Sequence, residues 1–117
     1  MTTASEVLRL INVERRRRSL RQVRWDSNIS QLEQAQAKHC ARVNRATHSD
    51  MHAGLEGENL AQVGLSGSAK TIVDCWMRSR TGHRECLLNP KAGSAGVGIS
   101  RNKHWIFATY AFEGDGL

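Results

Sequence analysis

The apolar residues of this chain change their period about two-thirds of the way along it, and that change limits the fold more than any other feature. In three stretches before about Arg80 they recur every three or four positions, the spacing of a helix with one buried face. Further on, Ala95–Ser100 alternates small residues with Val97 and Ile99. His104–Phe112 is then dense in β formers: Trp105, Ile106, Phe107, Thr109, Tyr110 and Phe112. Helices first and strands last, without strict alternation, predict an α+β layered domain and not a doubly wound one. A chain of 117 residues is the size of a single domain with one core, so residues 1–117 are read as one unit.

Within that frame, Ser5–Leu20 reads as a helix capped by Ser5, with Val7, Leu8, Leu10, Ile11 and Val13 as its apolar stripe. Gln22–Trp25 reads as a connector. Asp26 or Ser27 opens a second helix to about Asn44, with Ile29, Leu32, Ala35, Ala37, Cys40 and Val43 at near-helical spacing. Thr47–Gly57 is loop-like, and Glu58–Val63 is open between a strand and a helical turn. Ser66 or Ser68 caps a third helix through Ile72, Val73, Trp76 and Met77 to near Arg80. Thr81-Gly82 breaks it, and Asn89-Pro90 forces a turn. Arg101-Asn102-Lys103 reads as a hairpin turn, and Gly93, Gly96 and Gly98 predict a strand that another chain segment approaches closely.

Composition removes whole classes of function. With 39% hydrophobic and 24% charged residues, the chain is globular and not disordered. No apolar run is long enough for a transmembrane segment. Met1–Asn12 lacks the pattern of an export signal, so the expected compartment is cytoplasmic unless such a signal has been trimmed. Lys and Arg outnumber Asp and Glu by 17 to 11. The excess gathers near the N-terminus, where Arg15–Arg18 is a candidate contact for an anionic partner or nucleic acid. A helix splays four consecutive arginines round its axis, which favours a solvated face over a binding stripe. The three cysteines leave Cys40–Cys75, Cys40–Cys86 and Cys75–Cys86 all formally open as pairs. Cys75, His83 and Cys86 lack the C-x-x-C pairing usual in structural zinc sites.

One ordered set of motifs is more specific. It comprises Asn12-x-x-Arg15, Trp25-Asp26, a helix with His39 leading to Thr47-His48-Ser49, Gly57-Glu58-Asn59-Leu60-Ala61, Trp76-x-x-Ser79-x-x-Gly82-His83-Arg84 and Gly96-Val97-Gly98. Its order and spacing, from about Glu6 to Phe112, resemble the CAP superfamily of cysteine-rich secretory, antigen 5 and pathogenesis-related 1 proteins, in its short microbial form. The resemblance implies an α-β-α sandwich with a small antiparallel sheet between helices, and an extracellular or cell-envelope location. It also implies a cleft that gathers His48, Glu58 and His83, with Asn59 serving the loop that carries Glu58. Many eukaryotic members place a second cleft glutamate between the two histidines, and here neither Asp74 nor Glu85 falls in that pattern. Cys86 stands where microbial members often have Asn, and the usual Gly near Ser19 is missing.

Two imidazoles and a carboxylate can hold zinc or another divalent cation, with His48 and His83 as the metal ligands. Alternatively, a carboxylate can fix a histidine's tautomer with no metal present. The leading expectation is a binding domain of no proven enzymatic activity, taking a small ligand, lipid, peptide or divalent metal in the cleft. The alternative is a metal-dependent hydrolase with His48 and His83 as ligands and Glu58 as general base. A third reading is anion binding through the Arg-rich first helix. His39, His52 and His104 are read as ordinary polar residues, Trp25, Trp76 and Trp105 as core or cleft wall, and Ser79 as a helix-end residue and not a nucleophile.

Overall fold

The computed structural model describes residues 2–50 and 54–114. Its elements run α1 (Ala4–Arg16), β1 (Arg24–Trp25), α2 (Ser27–Val43), β2 (Leu55–Gly64), α3 (Ala69–Arg78), α4 (His83–Leu87), β3 (Ala92–Arg101) and β4 (Trp105–Gly114). The strands form one sheet in the order β1-β3-β4-β2, in which β1 joins β3 in parallel and the other neighbours are antiparallel. Helix α2 packs against β3 and β4, while α1 and α3 contribute to an apolar core with the sheet. This is the α+β sandwich that the change of period and the motifs predict.

The caps explain where the helices start. Thr3, not Ser5, caps α1 by accepting the Glu6 N–H. Asp26 caps α2 by accepting the Ile29 N–H at 2.9 Å. Ser68 and Thr71 close a reciprocal capping box on α3. Helix α1 stops at Arg16, earlier than Leu20, and the chain turns back through Ser19 in the left-handed region at φ +59°. That is the position where a glycine would be unstrained.

The start of β2 differs from the sequence expectation. The strand begins at Leu55, inside the segment read as loop, and the ambiguous stretch 58–63 is strand throughout. Pairing along β4, from Gly57↔Phe112 to Gly64↔Trp105, decides the matter where local pattern could not. The short helix α4 and the two-residue strand β1 were also not anticipated. Both are too brief to carry a period of their own. His52 lies outside the described residues.

The core side of the sheet carries Ala61, Val63, Val97, Ile106, Ala108, Tyr110 and Phe112 against Val7, Ile11, Ile72, Val73 and Trp76. Trp76 is buried, and its indole N–H donates to the Leu60 carbonyl at 3.0 Å. The Asn12-x-x-Arg15 motif proves to be a staple. Asn12 Nδ2 donates to the Val23 carbonyl (3.1 Å) while its Oδ1 accepts the Val23 N–H (2.9 Å). Arg15 is completely buried and donates to the carbonyls of Arg21 (2.8 Å), Leu87 (2.8 Å) and Asn89 (2.9 Å).

On the other face, α2 reaches the sheet at backbone distance. A side chain on Gly96 would collide with the Ile29–Ser30 peptide, and one on Gly98 with the Glu33 carbonyl group. The close approach expected at these two glycines is therefore made by α2. Gly98→Ala should push α2 off the sheet and destabilise the protein by about 1–3 kcal/mol, measurable as a lowered midpoint in urea denaturation.

Candidate functional site

Strand β2 is an outer strand of the sheet, and its residues Glu58 and Asn59 each hold one of the two histidine segments. The His48 segment is set by the end of α2. Gln36 Nε2 donates to the Thr47 carbonyl at 2.7 Å, and the Thr47 N–H donates to Cys40 Sγ at 3.4 Å. The next two residues then dock on Glu58. His48 Nδ1 lies 2.8 Å from Glu58 Oε1, the Ser49 N–H donates to the same oxygen at 2.9 Å, and Ser49 Oγ donates to Oε2 at 2.6 Å. The Glu58 side chain is only 1% exposed, while that of His48 is 61% exposed. Because the carboxylate accepts, His48 Nδ1 carries a proton, and Nε2 is the ring nitrogen left free to meet a ligand.

The His83 segment is held by main chain and side chain together. Asn59 Nδ2 donates to the His83 carbonyl at 2.9 Å, and His83 Nδ1 lies 2.8 Å from Ser79 Oγ. His83 opens α4 directly after Gly82, whose φ of +106° favours glycine. Ser79 also accepts the Thr81 N–H at 3.1 Å, so it is a helix-end residue that orients a ring, as the sequence suggested. Both imidazoles are thus tied at Nδ1.

The second carboxyl group comes from an element where it was not sought. Glu33, on α2, is completely buried, with its carboxyl group beside that of Glu58. Burial pushes its carboxyl up to about 9, and the hydrogen bond to Glu58 and that group's charge add to the rise. For Glu58, burial works against the charge. Hydrogen bonds from Glu33, from Ser49 through its hydroxyl and N–H, and from His48 outweigh it and hold the carboxyl below its ordinary value. The sequence reading put Leu32, Ala35 and Val43 in the buried stripe of α2. Instead all three are exposed, and the buried stripe is Ile29, Glu33, Ala37 and Cys40. The available signal was a glutamate spaced i, i+4, i+8 with Ile29 and Ala37, masked because a charged residue is normally assigned to the solvent face.

The remaining expectations fare differently. Glu58 does not suit the role of general base, since its side chain is sealed from water and its oxygens are committed to Ser49 and His48. Among the described residues, no group of three or more His, Cys, Asp or Glu is arranged to hold a metal ion. The enclosed Glu58 carboxylate, already occupied by Ser49 and His48, is not free to join such a centre. The three cysteines are free thiols. Burial pushes the Cys86 thiol up to about 12, with the charges of Glu58 and Glu33 adding, so it is an inert packing group.

Arg15 is not a surface cation, because its guanidinium is spent on buried carbonyls. Arg17 and Arg18 pair with Glu14 at 2.9 and 3.1 Å. The four-arginine run is thus one buried staple, two ion-paired side chains and the exposed Arg16, and not one continuous basic stripe.

Linkage makes the protonated state of Glu33 measurable. Its folded value lies above the ordinary 4.5, so its contribution to stability is complete below that pH and is lost as pH rises towards 9. Glu58 has the opposite sign: its folded value is depressed, and its contribution is lost as pH falls into the acid range. Glu33→Gln removes the first dependence. Urea unfolding at pH 5 and pH 8 should show the variant gaining stability relative to wild type at the higher pH. Parallel pH profiles would contradict a protonated Glu33.

The sequence matches the cysteine-rich secretory protein family, CAP, over residues 8–112. None of the curated proteins compared with it matches. Among solved structures it is similar to an extracellular protein containing a SCP domain from Bacillus anthracis, at 19% identity and a TM-score of 0.73 over 96% of this chain and 40% of that one. It is also similar to an outer surface protein from Borrelia burgdorferi, at 13% identity and a TM-score of 0.75 over 92% and 89% of the two chains. Venom allergen-like protein 4 from Schistosoma mansoni gives 12% identity and a TM-score of 0.75 over 97% and 89%. At such identities the likeness is one of fold. The chain spans two-fifths of the length of the Bacillus protein. The family match runs from within α1 to the last strand, taking in both segments that carry the histidines, and the chain belongs to the CAP, or cysteine-rich secretory protein, family.

Proposed function

We propose that this CAP domain is a ligand-binding module without catalytic activity, and that its recognition groups are the Nε2 atoms of His48 and His83. The observation that carries this reading is the anchoring of each ring at Nδ1, to Glu58 and to Ser79. A ring fixed in this way offers its other nitrogen in a set direction and loses little entropy on binding. The ligand class that suits two such nitrogens is a small molecule, lipid headgroup or peptide with a polar group to hydrogen-bond, or a divalent cation.

Zinc would be held by His48 and His83 and would supply open coordination positions for a ligand oxygen. Glu58 would stay outside that shell as the carboxylate that orients His48. A hydrolase reading finds less support, because it needs a base within reach of water and Glu58 is enclosed. For location, the fold likeness to an extracellular protein and an outer surface protein favours the extracellular or envelope setting. Among the described residues no helix is long and apolar enough to cross a membrane.

Zinc chloride serves as the probe. Calorimetric titration of metal-free protein should show one ion bound per chain with micromolar affinity. The His48→Ala/His83→Ala variant, verified as folded by circular dichroism, should show none. No heat with wild type, or equal heat with the variant, would remove a divalent cation held by the two rings from that ligand class.

A further inference from the structure

Glu33 lies between α2 and the sheet, out of reach of solvent. It is 0% exposed, and neither of its carboxyl oxygens meets a hydrogen-bond donor among the described groups. The Thr109 hydroxyl nearby is directed to the main-chain carbonyl of Glu33 at 2.9 Å. Glu58 stands on the same face of the sheet, two residues along β2 from Leu60, the cross-strand partner of Thr109, and it is supplied with donors from the loop side: His48 Nδ1, the Ser49 N–H and Ser49 Oγ. Two carboxylates in one dry place cannot both stay charged, so the pair holds one proton. The member with three other donors keeps the charge, and the member with none keeps the proton. The elevated value of the Glu33 carboxyl agrees with this assignment.

We propose that Glu33 is the positioning residue of the cleft: as a neutral acid it donates a hydrogen bond to Glu58 and locks that carboxylate in the orientation that fixes His48 and Ser49. A carboxylate has about four lone-pair directions, and three of those on Glu58 are satisfied by the His48–Ser49 segment. The Glu33 hydroxyl fills the direction facing the core, where water has no access. Helix α2 has little freedom to withdraw that hydroxyl. At Glu33 its backbone lies against Gly98 and is bonded by Thr109. The order of a ligand-binding loop on one edge of the sheet thereby depends on a residue that no ligand touches. That functional consequence rests on the proposed role of His48, while the Glu33–Glu58 bond itself does not.

The test needs no ligand and uses Glu33→Gln, which keeps a donor, and Glu33→Leu, which removes it. Infrared spectra at neutral pH should show the C=O band of a buried protonated carboxylic acid in wild type, absent from Glu33→Gln. The Ser49 amide should keep its protection against hydrogen exchange in Glu33→Gln and lose roughly tenfold or more in Glu33→Leu. No such band in wild type, unchanged protection in Glu33→Leu, or equal loss in both variants would overturn the proposal. If Glu33→Leu does not fold, the infrared difference and the Glu33→Gln exchange rates still decide it. Failure of zinc to bind would remove the metal reading of the two histidines and leave these results to stand or fall separately.

Discussion

The contact on which the candidate site depends is the one between the backbone of α2 and the backbone of β3. Helices usually pack on sheets through side chains on both surfaces, and here the sheet contributes none at Gly96 and Gly98. The gain in closeness brings the turn of α2 that holds Glu33 down to the sheet, within reach of Glu58 on β2. A carboxyl group placed so deep must find a partner or give up its charge. Pairing with Glu58 meets that requirement, and Glu58 in turn organises His48 and Ser49. The glycines of one strand therefore control the geometry of a loop two strands away.

The opposite face uses a different device. Asn12 and Arg15 join α1 to the returning chain at Val23 and Arg21 and to the turn after α4 at Leu87 and Asn89. Five-residue α4 carries His83, so the same staple anchors the segment behind the second imidazole. A buried guanidinium is tolerated because it satisfies carbonyls that no helix or strand would pair. Charge counts alone misrepresent such a chain, since the first residue of the arginine run contributes to the core and not to the surface potential.

Several parts of this arrangement were legible beforehand. The caps of α2 and α3, each to one of two neighbouring residues, the two C-terminal strands, the hairpin at Asn102 and the crowded glycines followed from local chemistry, which is the same in a peptide as in a protein. Asn102 shows why: its Oδ1 accepts the N–H groups of both His104 and Trp105, at 2.8 and 2.9 Å, within its own turn. Strand β2 was harder to read. Gly57, Glu58, Asn59 and Gln62 are poor strand formers, and pairing with β4 overrides them. Gly57 is required there, because a side chain would strike the Phe112 ring and Cys86 Sγ.

What the sequence by itself determined was the layered α+β plan, through its change of period, and the family, through an ordered set of short motifs; His48, Glu58, Asn59 and His83 were candidates that this resemblance implied. Tertiary structure alone decided the protonation and the partners. Glu33 and Glu58 stand 25 positions apart in the chain, and no local pattern tells one carboxylic acid that another will share its pocket. Burial, which sets the charge of both groups, is a property of the closed sandwich and of no segment within it.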